Sequence, residues 1–327
     1  MSTHDSEAAR LRFDRTVDRR LLHRRALSEV FLTDSADSSG NVFLVGAQLP
    51  SSHAYFIDHA DHTVIDPILL LECARQAETY CAHVHLGVGE DTKFVLRRWS
   101  MRLPGLFAAH AGNAAGLTME VTPDRPAGAV APARSLAYDI AFSLGGGAVG
   151  NVRMEVGYLS SAAYSYVRTA RRGSPPPSSD EVPVTRATVA PASVGRSAEV
   201  NTLLIDPERT GTGMTAALRL PGDNPSMFDH AQDHLPGMVL TEAARQLCLL
   251  TGAELLGRAA TGTTLVGFDL TFSRFAELDS LTTVTATPGT SDDGTQGFAI
   301  SVRQDGEEIV NGTVDTTAVP ASHQRAK

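Results

Sequence analysis

The sequence predicts an α+β chain of two tandem halves, each a long apolar helix against a mostly antiparallel sheet. Two observations carry this. A motif of two Asp-His pairs followed by an apolar helix with Glu-x-Ala-Arg-Gln occurs twice: Asp58-His59, Asp61-His62 and Glu72–Gln76, then Asp229-His230, Asp233-His234 and Glu242–Gln246. The runs that flank it also recur in the same order at nearly one offset. Asp34 and Asp206 lie 172 apart, Pro50 and Pro221 lie 171 apart, Glu72 and Glu242 lie 170 apart, and Arg102 and Arg274 lie 172 apart. Matching segments in one order at one spacing are the mark of an internal duplication.

Each half reads strand, strand, loop, helix, then several strands. The opening strands end the segments 24–34 and 196–206 and are followed by 43–50 and 214–221. The helices start at Pro67 and after Pro236, because a proline lacks the N–H that a first helical turn cannot use. Their stripes are Ile68, Leu71 and Ala74, and Met238, Leu240, Ala243, Ala244 and Leu247. Alternating and β-branched runs follow at 93–102, 136–144 and 152–159, and at 264–272, 281–286, 298–303 and 308–317. One helix on an antiparallel sheet is an α+β layer arrangement, and two such halves would pair as a pseudo-dimer within the chain. Gly145-Gly146-Gly147 lacks the Lys-Ser/Thr and following helix of a phosphate loop and reads as a hairpin turn.

The expected divisions are a flexible N-terminus over 1–18, an N-terminal domain over 19–169, a Pro/Ser-rich linker over 170–192, a C-terminal domain over 193–318 and a flexible tail over 319–327. The linker rests on Ser174-Pro175-Pro176-Pro177-Ser178, since serial prolines join neither a helix nor a central strand. A further extended loop, rich in Ala, Gly and Pro, is expected over 105–132.

Composition bounds the function. The 327 residues are 42% hydrophobic and 20% charged, as in globular proteins, and the formal charge of −9 argues against nucleic acid as a partner. Cys73, Cys81 and Cys248 are few and without metal-ligand spacing, so they read as core residues in a reducing compartment. No apolar run is long enough for a membrane span and the N-terminus has no signal core. The expectation is a cytoplasmic protein without membrane or metal.

Charge inside an apolar helix needs a partner and is enriched at sites. Glu242 and Arg245, and Glu72 and Arg75, stand at i and i+3 and project from one face. His230 and His234 precede the Pro236-Gly237 step, where Gly237 and Met238 could present helix N-terminal N–H groups to a carbonyl or an anion. The first half has Asp66-Pro67 there, and Asp66 would compete for the helix end as a cap. Candidate catalytic residues are therefore Glu242, Arg245, Glu72 and His230. Candidate substrate contacts are His234, Gly237 and Met238, with Arg75 and His59 in the first half. An isolated surface ion pair and a loop held by its own Asp-His contacts are the bland alternatives.

The second motif, Asp229-His230…Asp233-His234-Leu235-Pro236-Gly237-Met238…Glu242-Ala243-Ala244-Arg245-Gln246, resembles the A-factor biosynthesis (AfsA-like) family. So do Asp66–Glu72…Arg75-Gln76, Leu22-His23-Arg24…Glu29–Asp34 and Phe272–Asp279. The resemblance covers residues 20 to 317 and implies two tandem hotdog domains, similar to β-hydroxyacyl-thioester dehydratases. It also implies transfer of a β-ketoacyl group from an acyl carrier protein or coenzyme A thioester to dihydroxyacetone phosphate, giving the phosphorylated ester precursor of a γ-butyrolactone, butenolide or furan signal. No cofactor is implied. Glu242 and Arg245 fall on the positions the resemblance marks as catalytic, with Glu72 their first-half equivalent and Glu242 the expected base. A dehydratase or thioesterase acting on acyl thioesters, and a non-catalytic acyl- or lactone-binding regulator, are the rival readings. Acyl chain, donor type and oligomeric state, a homo-oligomer included, stay open.

Overall fold

A computed structural model describes residues 11–38, 40–59, 61–109, 116–125 and 133–320. They divide into two compact units: the chain up to Ser52 together with Leu69–Val167, and His53–Ile68 together with everything from Arg168 onward.

The first unit holds β1 (Leu32–Asp37), β2 (Phe43–Gln48), β3 (Lys93–Arg102), β4 (Gly116–Pro123), β5 (Ser135–Leu144) and β6 (Gly147–Leu159). They pair antiparallel in the order β1-β2-β4-β5-β6-β3. Helix α1 (Pro67–Val84) supplies the unit's central rod. It is buried almost all round, as a helix apolar on most sides requires. Asp66 Oδ1 accepts the Ile68 N–H at 2.9 Å and caps its start.

A second helix, α2 (Ser161–Arg172), follows. The second unit then repeats the first with β7 (Leu204–Arg209), β8 (Met214–Leu218), α3 (Gly237–Leu256), β9 (Thr263–Phe272), β10 (Thr282–Asp292), β11 (Thr295–Gln304) and β12 (Glu307–Ala318). The order is β7-β8-β10-β11-β12-β9, the same topology strand for strand. Helix α3 packs on these strands and is buried continuously from Val239 to Gly252. It ends at Gly257, whose φ of +66° closes it in the left-handed region. Each unit is thus a hotdog, a helix wrapped by an antiparallel sheet.

Gly145 and Gly146, at φ of +56° and +80°, make the expected hairpin turn between β5 and β6. Three expectations are corrected. The stretch 105–132 contains strand β4, whose Leu117, Met119 and Val121 alternate inward between Ala-, Gly- and Pro-rich flanks; residues 110–115 and 126–132 lie outside the described residues. Residues 11–18 are tied down rather than mobile: Leu11 is buried, Arg12 N–H reaches Asp34, and Val17 N–H reaches the Leu32 carbonyl at 3.1 Å. The rest of that expected terminus, 1–10, and the tail from 321 lie outside the described residues, while Val319 is buried with its N–H on Gly262.

The stretch read as a linker, 170–192, begins inside α2. It has neither helix nor strand at Pro175–Pro177, but it is anchored. Ser179 is buried, its N–H on the Gln232 carbonyl at 2.8 Å and its Oγ accepting the Gln232 N–H at 3.1 Å. The loop 53–68, although it belongs to the first half of the sequence, packs with the second unit.

Within the first unit, Glu78 of α1 is buried, with Tyr158 Oη donating to its Oε1 at 3.1 Å and Thr79 Oγ1 to its Oε2 at 3.1 Å; Tyr138 and Tyr158 share a 2.5 Å hydrogen bond. Burial pushes the Glu78 carboxyl up to about 7, against the opposing pull of those donors and of Arg75. A carboxyl raised on folding contributes stability that is complete below its unfolded value of 4.5 and is lost as pH rises through about 7. Chemical denaturation should therefore show Glu78→Gln less destabilised than the wild type on going from pH 5 to pH 8. An equal pH slope in both proteins would refute the assignment.

Candidate active site

The second unit buries a charged cluster at the middle of α3. Glu242 is wholly enclosed. Its Oε1 accepts from Arg196 Nε at 3.0 Å, Arg196 Nη2 at 2.9 Å, Arg245 Nη2 at 2.8 Å and Gln246 Nε2 at 2.6 Å, and its Oε2 from Arg245 Nε at 2.8 Å. Burial alone would raise this carboxyl, but Arg196, Arg245 and Gln246 hold it down at about 2. Gln246 also ties the helix to the segment before β7, donating to the Asn201 carbonyl at 2.7 Å and accepting the Leu203 N–H at 2.8 Å.

The first unit repeats the arrangement bond for bond. Glu72 accepts from Arg24 Nη2 at 2.5 Å, Arg75 Nε and Nη2 at 2.8 Å each, and Gln76 Nε2 at 2.6 Å. Gln76 donates to the Glu29 carbonyl at 2.7 Å and accepts the Phe31 N–H at 3.0 Å. Arg24 and Arg75 again hold the buried Glu72 at about 2 against its desolvation. Arg24 and Arg196 lie 172 residues apart, on the duplication's own offset. That offset was the available signal for these two arginines, which the helix motif alone does not reveal.

The clusters differ in what surrounds them. Arg196 has no exposed side-chain surface and Arg245 only 4%, against 11% and 20% for Arg24 and Arg75. Arg196 also reaches into the loop 53–68. Its Nη1 donates to the Tyr55 carbonyl at 2.8 Å and lies 3.5 Å from Asp66 Oδ2, and its guanidinium stacks 4.4 Å from the Tyr55 ring. Asp58 fastens the same loop by accepting the Ser197 and Ala198 N–H groups and Asn201 Nδ2.

Beside this cluster lies a small cavity, open to solvent, in the second unit. Its polar wall is His59, Asp61, Asp66, Arg245, Thr261, Thr263 and Thr264, and Leu249 and Val319 are among its apolar residues. The Nε and Nη2 of Arg245 are taken by Glu242, so Nη1 is the part left for an occupant. Pro67, the start of α1, lines the same space.

Of the candidate residues, the structure brings Glu242, Arg245 and His59 together around one cluster and its cavity, while Glu72 and Arg75 belong to the first unit. His230 is held by Asp229 at 3.3 Å and Gln232 at 2.7 Å, and His234 by Asp233 at 2.6 Å with its ring edge-on to Phe275. Asp233 in turn accepts from Arg168, which also forks onto Glu277. Gly237 and Met238 open α3, and the Gly237 carbonyl accepts the Thr241 hydroxyl. None of these four residues lines the cavity.

The model of the A-factor biosynthesis hotdog domain matches residues 5–160 and 178–320. A 2-oxo-3-(phosphooxy)propyl 3-oxoalkanoate synthase of Streptomyces virginiae is 30% identical over 92% of this chain and 97% of its own length. Its namesake in Streptomyces coelicolor is 28% identical over 91% of this chain and 90% of its own. Among solved structures, a trans-AT PKS dehydratase domain from Brevibacillus brevis superposes with a TM-score of 0.53 at 12% identity, covering 88% of this chain and 97% of that one. The 12:0-ACP thioesterase from Umbellularia californica gives 0.50 at 9% identity, covering 86% and 100%. At these identities the likeness is one of fold.

Removing the buried carboxylate strands two guanidinium groups. Glu242→Ala should cost about 3–5 kcal/mol in urea unfolding, and Gln246→Ala about 1–3 kcal/mol. Because the folded carboxyl lies below its unfolded value of 4.5, its contribution is complete above 4.5 and disappears as pH falls toward about 2. A Glu242→Ala protein as stable as the wild type at pH 7 would refute this account of the cluster.

Proposed function

The chain belongs to the A-factor biosynthesis hotdog family, and on that premise we propose that it is an acyltransferase: a 2-oxo-3-(phosphooxy)propyl 3-oxoalkanoate synthase. The reaction moves a 3-oxoacyl group from a thioester to the hydroxyl of dihydroxyacetone phosphate, releasing thiol. Acyl carrier protein or coenzyme A carries the donor. The phosphorylated ester is the precursor of a butyrolactone-type signal, and the enzyme works in the cytoplasm. Among the described residues no helix is long and apolar enough to cross a membrane.

The observation that carries this reading is Arg245, locked by Glu242 and facing a cavity whose wall also holds Thr261, Thr263 and Thr264. A guanidinium with a fixed edge and the hydroxyls of Thr261 and Thr264 make a fitting receptor for a phosphate, while Thr263 donates its own hydroxyl to the Ala259 carbonyl. The role of Glu242 then differs from the base expected of it. Both its oxygens are occupied, it is shut off from the cavity's contents, and a carboxyl held at about 2 draws protons weakly at neutral pH. Glu242 is a positioning residue: it aims Arg245. Glu72 has the same part toward Arg75 in the first unit. The Gly237–Met238 helix start, with His230 and His234, remains our candidate for contacts to the thioester.

Mass spectrometry of products from 3-oxoacyl thioesters with dihydroxyacetone phosphate tests the reading. Ester should form, and thiol should be released only when the acceptor is present. Thiol release at the same rate without acceptor would make the protein a thioesterase instead. Arg245→Lys, which keeps the charge but loses the fork, should raise the KM for dihydroxyacetone phosphate by about tenfold or more, the value of one charged hydrogen bond. An unchanged KM would remove Arg245 from phosphate binding.

A further inference from the structure

With both oxygens of Glu242 taken, the transfer needs another group to carry the hydroxyl proton. We infer that His234 carries it and that Arg168, a buried residue of α2, is the positioning residue that holds His234 for the task; the inference rests on the acyl transfer proposed above. The His234 Nδ1 lies 2.6 Å from Asp233 Oδ1. A carboxylate paired with a guanidinium only accepts, so this bond puts the proton on Nδ1 and leaves the lone pair of the neutral ring on Nε2. Nε2 has no hydrogen-bond partner among the described residues, and no atom of His234 is among the buried unpaired ones. The side chain is 25% exposed, so this lone pair is open to solvent. His230, by contrast, has Nδ1 against Asp229 and Nε2 against Gln232.

Arg168 grips both supports of that ring. Its Nε donates to Asp233 Oδ2 at 3.1 Å and its Nη2 to the Asp233 carbonyl at 2.7 Å, which leaves Oδ1 for the imidazole. Its guanidinium lies 4.4 Å above the Phe275 ring, and Phe275 stands edge-on to His234 at 5.1 Å. Glu277 takes the other side of the guanidinium at 2.6 and 2.8 Å, and Arg172 links Glu277 to Asp279. Arg168 is itself 3% exposed, so it acts on Asp233 and Phe275 and not on a ligand. This clamp is not part of the repeated frame. At the duplication's offset of 172, Phe275, Glu277 and Asp279 correspond to Leu103, Gly105 and Phe107. Asp61, the counterpart of Asp233, gives its Oδ1 to the Thr63 N–H and hydroxyl. One hotdog of this chain is built without the clamp, so the fold alone does not require it.

The step balances. Nε2 takes the hydroxyl proton of dihydroxyacetone phosphate as the oxygen attacks the thioester carbonyl carbon. The new C–O bond forms, the C–S bond breaks, and the departing sulfur receives the proton from Nε2 and leaves as thiol. Asp233 steadies the transient imidazolium, and Arg168 fixes the carboxylate that does so. Three residues on, α3 begins without a side-chain cap, and the Gly237 and Met238 N–H groups have no partner among the described residues; they are the donors for the thioester oxygen.

A double-mutant cycle with the full chain, dihydroxyacetone phosphate and a 3-oxoacyl coenzyme A is the test. His234→Gln should lower kcat for ester formation about 10²–10⁴-fold, the usual contribution of a general base. Arg168→Met should lower it about 10–100-fold, as loss of a supporting partner does, with the KM for dihydroxyacetone phosphate within about threefold of the wild type. In the double variant Arg168→Met should add less than about threefold, because nothing is left for it to position. A mere structural brace would multiply its loss onto that of His234→Gln. Independently of turnover, nitrogen NMR of the wild-type imidazoles should show the His234 proton on Nδ1, its signal identified by its loss in His234→Gln. Losses that multiply overturn the inference, and so does an Arg168→Met kcat within about threefold of the wild type or a His234 proton on Nε2. If Arg168→Met fails to unfold cooperatively, Arg168→Lys, which keeps the charge and loses the fork, is read against the same outcomes. A wild-type enzyme that forms no ester from any thioester defeats the acyl-transfer reading itself, whereas the tautomer and the variant ratios address His234 and Arg168.

Discussion

A carboxylate with no contact with water, gripped by two guanidinium groups and an amide, is the interaction on which each unit depends. Transferring Glu242, Arg196 and Arg245 out of water is expensive unless every charge is matched and every donor used. The cluster offsets most of that cost with the five hydrogen bonds on Glu242, and it binds α3 to the segment ahead of β7 through Gln246, Asn201 and Leu203. Its geometry therefore does more than neutralise charge. It sets where the helix lies against the segment that enters the sheet, and Glu72 with Arg24, Arg75 and Gln76 does the same in the first unit.

Because the cluster is repeated almost atom for atom, it cannot by itself distinguish a site from a brace. The difference lies in its surroundings. In the second unit Arg196 extends the cluster into the loop 53–68, and Arg245 has one edge toward a cavity walled by His59 and three threonines. The ion cluster thus also fixes the orientation of a guanidinium that lines the cavity.

The duplication, the two helices and most of the strands were legible in the chain, because period and offset are local properties that survive in one dimension. Strand β4 was hidden by its Ala-, Gly- and Pro-rich flanks, and α2 by its small and polar residues between a strand and a run of prolines. The segment 11–18 read as mobile for its charge, yet its order comes from Leu11 burial and from bonds to β1, which no local pattern announces.

At the site, sequence alone determined that Glu242 and Arg245, like Glu72 and Arg75, share a helix face and need partners, since i and i+3 spacing in an apolar helix dictates both. Tertiary structure alone decided what those partners are. Arg196 meets Glu242 across 46 residues and Tyr55 across 141, separations at which no periodicity links the two ends. It also decided that the Glu242 carboxylate is enclosed while Arg245 lines the cavity. A carboxyl's basicity depends on the water it has lost and the charges it has gained, and both are fixed only when distant segments close around it.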